Sequence, residues 1–494
     1  MDPWRKLAGA SREDIRRLQD NKLHSFINTC LYPFSPHYRR VFDQHKIDPK
    51  TIRTVEDLKY IPFTSKTDFL SSDQKPDSFR DFIFQPDKDR IRSCWPATKL
   101  LALVFSRALR GASYVEDRFN QEFRPVFMTF TTGTTHTPVP FVYSNYDIRN
   151  LHISGDRMLK LFDIKNSERV VNMFPYAPHL AFWQVVFGGF ASCTLILSTG
   201  GGKVMGTEGN IATLLKMKPS VLLGVPSYVY HVMRVAKEKG CRMDFLKKVV
   251  LGASKIPQAF KLRLAEMLAS MGAKDVSIFG TYGFTEARAA WAECPTGLDV
   301  SSGYHLYPDK EIFEVVDPQT GEVKGEGEDG ELVYTALDAR ASAVIRYRTG
   351  DFVKGGLTYE PCPYCQRTVP RLSSDITRLS NVKDLNLSKI KGSLVNLNHF
   401  YTVLSEMPSV DEWQIEIGKK NNDPFEVDEL NVYVAAKDGS NLGKIEDDIK
   451  KQMLLTTEVT PNAVHFLPMS EMVKRLEVET ANKEKRIVDC RPKE

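Results

Sequence analysis

Between Thr129 and Pro138 the chain reads Thr-Phe-Thr-Thr-Gly-Thr-Thr-His-Thr-Pro, directly after the apolar Val126-Phe127-Met128. Backbone amides in such a loop can converge on phosphate oxygens. The hydroxyls of Thr131, Thr132, Thr134 and Thr135, set around Gly133, add donors that carry no charge. The Gly-Lys-Ser/Thr ending of a P-loop is missing, so the usual nucleoside-triphosphatase reading does not apply. Taken alone, the loop also reads as an ordinary turn after a strand.

Three further segments carry groups suited to the same chemistry. Phe279-Gly280-Thr281-Tyr282-Gly283-Phe284-Thr285-Glu286 follows the β-like run Asp275 to Ile278 and offers an aromatic face, a hydroxyl and a carboxylate close together. Ile345-Arg346-Tyr347-Arg348-Thr349-Gly350-Asp351 sets an acid in a tight turn after a strand. Asn482-Lys483-Glu484-Lys485-Arg486-Ile487-Val488-Asp489 is a basic run near the C-terminus. Each has a plainer reading: a core aromatic, a strand-end turn, a solvated tail.

A separate group suits a metal. Cys362-Pro363-Tyr364-Cys365 is a C-x₂-C knuckle, and Cys294 and His305 lie upstream. Two ligands from one tight turn and two from another segment is the common layout of structural zinc, and four protein ligands leave no open position for catalysis. The alternative is two unmetallated cysteines in a loop beside an unrelated histidine.

The elements that must position these groups are short β-like runs before helical stretches, such as Thr194-Leu195-Ile196-Leu197, Val221-Leu222-Leu223-Gly224-Val225 and Val249-Val250-Leu251-Gly252. Apolar runs bounded by glycine or proline suit strands buried on both faces, and hence a layered α/β domain. Asp317-Pro318-Gln319-Thr320-Gly321-Glu322 reads as a turn and Gly330-Glu331-Leu332-Val333-Tyr334-Thr335 as the next strand. Past residue 380 the pattern changes. Trp413 to Ile417 and Leu430 to Val434 alternate apolar and polar, while Ile445, Ile449 and Met453 recur at helical spacing, which predicts a small α+β domain.

In this order the segments resemble the adenylate-forming enzymes, the acyl-CoA synthetase and ligase superfamily, and within it the phenylacetate–CoA ligase branch. The resemblance covers nearly the whole chain, from His37-Tyr38-Arg39-Arg40-Val41-Phe42 and Leu58-Lys59-Tyr60-Ile61-Pro62-Phe63-Thr64-Ser65-Lys66 to the closing lysine motif at Lys483. It implies an α/β fold: a large layered N-terminal adenylation domain over 1–380 and a small mobile α+β C-terminal lid over 381–494. The hinge would fall near Val382-Lys383-Asp384. His136 and Asn482 stand where the family has glycine, Ser254 where many relatives carry an acid, and Asn381 where an arginine is usual.

The resemblance also implies roles. Thr131, Thr132, Gly133, Thr134 and Thr135 would cradle the pyrophosphate end of ATP. Tyr282, with Gly283 beside it, would stack on adenine, Thr285 would touch the α-phosphate, and Glu286 would help hold Mg²⁺. Asp351 would accept both ribose hydroxyls, with Arg367 a second cation near the nucleotide. Lys483 would reach in from the lid as the adenylate forms. The expected activity is ATP-dependent activation of an aromatic or bulky apolar carboxylic acid, then thioester formation with coenzyme A. The alternatives are transfer to a carrier-protein thiol or other protein acceptor and, given His136 and Asn381, nucleotide binding without turnover. Pro178, His179, Gly224 to Tyr228 and Gly252 to Ser254 are expected to line the acid pocket.

Composition excludes other classes. The 67 basic and 62 acidic residues are dispersed, which argues against nucleic acid as a partner. No apolar run reaches membrane-spanning length and no signal peptide is evident. Eight cysteines make no disulfide framework, so a cytoplasmic setting is expected. Oligomeric state is not legible. The stretch from about 67 to 124 is atypically long for the branch, and Trp95 to Gly111 within it reads as an apolar helix with basic ends. Such a helix packs on its own domain's core or lies at a membrane interface. The core-packed helix is the expectation adopted, and peripheral membrane contact is the rival.

Overall fold

The computed structural model describes residues 3–69, 78–131, 139–254, 256–378, 387–390, 393–396, 398–419, 428–457, 459–480 and 484–491. The strands Arg169–Asn172, Leu195–Ser198, Val221–Gly224, Lys248–Leu251 and Ser277–Phe284 alternate with the helices Leu180–Ser192, Gly202–Met217, Pro226–Glu238 and Gln258–Ser270. Val221–Gly224 is buried at every position, because a parallel strand roofed by helices on both faces has no polar side to offer. Two helices, Asn145–Leu161 and Leu180–Ser192, cross at Gly155 and Gly188. A Cβ on Gly155 would sit 2.5 Å from the Gly188 Cα, so the crossing needs glycine there.

Among the described residues this sheet has nine strands. Its order is Leu357–Thr358, Arg371–Leu372, Tyr304–His305, Ala289–Ala292, Ser277–Phe284, Lys248–Leu251, Val221–Gly224, Arg169–Asn172 and Leu195–Ser198. Ser277–Phe284 changes partner halfway. Up to Gly280 it runs parallel to Lys248–Leu251, and from Thr281 it runs antiparallel to Ala289–Ala292. Tyr282 is therefore carried beyond the carboxyl ends of the parallel strands, where ligands bind in open α/β sheets.

An antiparallel sheet of Glu311–Val316, Gly330–Ala336, Tyr347–Val353 and Ile376–Arg378 packs into the same core. Ahead of its second strand the expected turn is present: Asp317 accepts the backbone N–H groups of Gln319 and Thr320, and Gly321 takes positive φ. The C-terminal part forms a second four-stranded sheet, Ala463–Phe466, Asp428–Ala436, Val410–Lys419 and Ile487–Asp489. Trp413, Ile415, Leu430, Ile449 and Met453 build its own core. Met472, Leu476 and Val478, by contrast, pack into the large core. The expected hinge at Val382-Lys383-Asp384 lies outside the described residues.

The long stretch before the hydroxyl loop folds as the helices Lys88–Cys94, Ala97–Arg110 and Ala112–Phe123. The expectation of a core-packed helix at Trp95 to Gly111 is corrected here. Ala97–Arg110 has no fully buried residue, and Leu101, Val104, Phe105 and Leu109 face solvent. Only Leu100 and Leu103 reach the core. The helix has apolar residues on more of its circumference than the body can cover.

Candidate active site

The hydroxyl loop hangs from a hairpin, Phe127–Phe130 paired with Pro140–Tyr143. Its root is pinned by Thr131, whose N–H donates to the Val139 carbonyl at 3.1 Å and whose Oγ1 accepts the Val139 N–H at 3.0 Å. The Phe130 amide donates to the Pro178 carbonyl at 2.7 Å, and His179 Nδ1 lies 3.3 Å from the Phe130 carbonyl. Thr285 Oγ1 donates to the same carbonyl at 3.4 Å. The loop's root, Pro178-His179 and the start of Thr285-Glu286 thus meet at one point. Thr132, Gly133, Thr134, Thr135 and His136 lie outside the described residues.

Beside that point stand two phenol–carboxylate pairs. Tyr282 donates to Asp351 Oδ2 at 2.7 Å, and Tyr347 donates to Glu286 Oε1 at 2.8 Å. Burial, then the Asp351 charge, pushes the Tyr282 phenol well up, and burial with Glu286 does the same for Tyr347. Burial also raises the Glu286 carboxyl above its ordinary value, against the Tyr347 hydrogen bond and the Arg378 charge. Gly283 has a packing reason of its own: a Cβ there would lie 2.7 Å from the Ala290 Cβ on the next strand.

Asp351 is aimed by a bulge. Val333 pairs with Arg348 and Glu331 with Phe352, so three residues, Thr349 to Asp351, stand opposite Leu332 alone. Bulges of this kind re-aim side chains at strand ends. Asp351 pairs in register with Arg378, whose Nε lies 3.2 Å from Asp351 Oδ1 and whose Nη1 donates to the Thr349 carbonyl at 2.8 Å. The Asp351 charge raises the Arg378 pKa further. The bulge's strand is anchored at Arg346, buried at positive φ, with Nη2 3.1 Å from Glu314 and its guanidinium 4.0 Å from the Phe63 ring.

Arg378 was not anticipated from the sequence. The cation expected near the nucleotide, Arg367, sits instead in the cysteine turn: its carbonyl accepts the Cys362 N–H at 2.8 Å and its guanidinium reaches the Lys160 carbonyl at 3.4 Å. Among the described residues, the cation set against the site carboxylates is Arg378, which follows a short stretch with no motif to flag it. Cross-strand register alone reveals it.

A small cleft is lined by Met173, Pro175, Lys203, Val225, Ser227 and Tyr228 from the large unit and by Glu479 and Glu484 from the C-terminal part. Of the expected acid-pocket residues, Val225, Ser227 and Tyr228 line it. Glu479 accepts hydrogen bonds from Thr207 and, at 3.2 Å, from His231 Nε2. Lys483 lies outside the described residues, between these two glutamates in the chain.

The metal-type group comes together on the far end of the mixed sheet. One donor atom each from Cys294, His305, Cys362 and Cys365 lies within 4.8 Å of the others. Cys294 Sγ is 3.7 Å from Cys362 Sγ, and Cys365 Sγ is 3.2 Å from His305 Nε2. His305 Nδ1 faces the Ala292 carbonyl at 3.3 Å, which leaves Nε2 turned toward the sulfurs. That second-atom contact is the usual way a ligating imidazole is oriented. Hydrogen bonds among the thiols hold Cys362 and Cys365 below the ordinary thiol value and Cys294 above it. Three sulfurs and one nitrogen at this spacing fit a tetrahedral soft cation.

Phenylacetate-coenzyme A ligase of Thermus thermophilus is 26% identical over 427 residues, covering 84% of this chain and 83% of its own length. Phenylacetate-coenzyme A ligase of Aromatoleum evansii is 25% identical over 510 aligned positions, covering 98% of this chain and 96% of its own. A solved 2-hydroxyisobutyryl-CoA ligase, in its postadenylation state with 2-HIB-AMP, shares the fold with a TM-score of 0.73 at 20% identity, covering 99% of this chain and 92% of its own. The family model described as AMP-binding enzyme matches residues 39–336, more than half of the sequence, and the chain belongs to that family.

Proposed function

We propose that this protein is an AMP-forming acid–thiol ligase that makes an acyl-adenylate and then a thioester with coenzyme A. A carboxylate oxygen of the acid attacks the α-phosphorus of ATP and pyrophosphate departs. The thiolate sulfur of coenzyme A then attacks the acyl carbon and AMP departs. The single observation that carries the reading is the convergence of the hydroxyl-loop root, Thr285-Glu286 and the Tyr282–Asp351 pair beyond the parallel strands. Family membership and ligase relatives along nearly the full length agree with it.

In this reading Asp351 takes the ribose hydroxyls, one carboxylate having two acceptor oxygens for two donors. The Tyr282 ring lies against adenine, and Thr285 donates to the α-phosphate. Glu286 holds Mg²⁺, a hard cation that suits oxygen. The ion would supply charge neutralisation on the phosphates, and the half-buried carboxylate beside Tyr347 is a fitting ligand for it. Thr131 to Thr135 bind the pyrophosphate end. Lys483 delivers a mobile positive charge from the C-terminal part, and residues 381–494 act as the lid that carries it. Cys294, His305, Cys362 and Cys365 hold one structural Zn²⁺.

The acid is aromatic or bulky and apolar, in keeping with the relatives' names. ATP–pyrophosphate exchange across a panel of carboxylic acids tests the first half-reaction. Adding coenzyme A or a carrier protein to the acids that respond, with mass detection of the thioester, tests the acceptor. No exchange with any acid, despite tight ATP binding, would overturn the enzymatic reading.

A further inference from the structure

Aromatic rings fasten the stretch before the hydroxyl loop to the body. Trp95 Nε1 donates to the Thr29 carbonyl at 2.8 Å, and the Trp95 ring stacks on Phe119 at 5.9 Å. Phe123 meets Phe34 edge-on at 5.2 Å. Held by that anchor, the helix Ala97–Arg110 stands on the surface. Its outer side presents Leu101 at 69% exposure, Val104 at 65%, Phe105 at 66% and Leu109 at 67%. The positions are three, four and eight residues apart, which puts all four on one stripe. Contiguous apolar stripes of this kind on a folded surface mark contact sites rather than chance exposure.

The helix that carries the stripe bears charge of one sign, Lys99, Arg107 and Arg110, while the acids Glu116, Asp117 and Glu122 sit on the neighbouring helix Ala112–Phe123. Residues 88–110 hold six bases, Lys88, Arg90, Arg92, Lys99, Arg107 and Arg110, against the single acid Asp89. The resulting net of five positive charges equals the formal net charge of the whole chain, +5. Ala97–Arg110 itself contains no acidic residue. Lys99 lies over the Trp95 ring at 5.5 Å and Arg110 over the Tyr114 ring at 4.8 Å, so both bases are held off the stripe.

We propose that Ala97–Arg110 is a membrane-docking helix that lays Leu101, Val104, Phe105 and Leu109 into the headgroup–acyl boundary of an anionic bilayer. The exposed bases of the same helix, Lys99, Arg107 and Arg110, supply the attraction to lipid phosphates. Charge complementarity selects this occupant: two copies of so basic a face repel each other, whereas anionic headgroups attract it. The docking is peripheral, since among the described residues no helix is long and apolar enough to cross a membrane. A helix of 14 residues lying in the plane is long enough to use the full stripe.

Flotation of the full chain with phosphatidylcholine vesicles, with and without phosphatidylglycerol, tests the proposal without reference to catalysis. The wild type should bind the anionic vesicles, bind the neutral ones far less, and release as salt rises. Leu101→Ser with Phe105→Ser, at exposed positions, should keep the melting temperature and lose roughly tenfold or more in vesicle affinity. Lys99→Gln with Arg107→Gln leaves the stripe intact and should lose the preference for anionic lipid. Absence of wild-type binding, or wild-type binding in both variants, overturns the proposal. So does a dimer, seen by light scattering, that the serine variant converts to monomer, because the stripe would then belong to a second copy. Unfolding of the serine variant combined with undiminished binding of the glutamine variant overturns it as well.

Discussion

Tyr282 donates its phenolic hydrogen to Asp351 at 2.7 Å, tying the strand that ends the parallel part of the large sheet to a bulge in the smaller one. The pair fixes an aromatic face beside a two-oxygen acceptor, and Arg378 at 3.2 Å from the same carboxylate sets its orientation.

Asp351→Ala should therefore weaken ATP and AMP together, because the ribose contact proposed for it would be made in ground and transition states alike. Loss of hydrogen bonds to a charged group, about 1.5–3 kcal/mol, corresponds to a rise of roughly 10- to 100-fold in the KM for ATP. The kcat should change little. Steady-state kinetics with isothermal titration of AMP checks this, and a fall confined to kcat would remove the ribose role.

Lys483→Ala should leave ATP binding nearly intact and slow pyrophosphate exchange by orders of magnitude, on the order of 10³-fold, since its charge matters most as negative charge builds at phosphorus. Thioester formation from a supplied acyl-adenylate should suffer far less. Unchanged exchange in the variant would show that another group supplies the charge.

Elemental analysis should find one zinc per chain. Cys362→Ser with Cys365→Ser should abolish it and lower the melting temperature by roughly 5–10 °C, because a metal bound only by the folded chain stabilises that fold. Thiols at these positions that react at once in the native protein, with no metal found, would contradict the assignment.

Glu311 predicts a pH dependence of stability. Its carboxyl is buried against Trp291 Nε1 at 2.9 Å and the Tyr307 amide at 2.6 Å, and burial pushes its pKa to about 8 from 4.5. Above the unfolded value the folded chain keeps a proton that the unfolded chain has lost. Stability from this group is thus complete below about pH 4.5 and is lost as pH rises through about 8. The steepest slope is about 1.4 kcal/mol per pH unit. Glu311→Gln should flatten the decline in denaturant midpoint across that window, and an unchanged profile would assign the slope to other groups.

The sequence by itself determined the alternation of strand and helix, the chemistry of the Thr131, Tyr282–Glu286, Asp351 and Cys362–Cys365 segments, and the change of pattern in the C-terminal part. Those features are local. Apolar runs such as Val221 to Gly224 can be stable only as covered strands, and a C-x₂-C turn brings its two sulfurs together unaided. Tertiary structure decided everything that depends on which segments face one another. Arg378 meets Asp351 only through strand register, and Glu479 reaches Thr207 and His231 only because the C-terminal segment packs into the large core. The Ala97–Arg110 helix is the sharpest case. Its apolar content is plain in the sequence and suggests burial, yet which side is covered depends on the area its neighbours offer. Leu100 and Leu103 pack against the core, and Leu101, Val104, Phe105 and Leu109 are left to solvent.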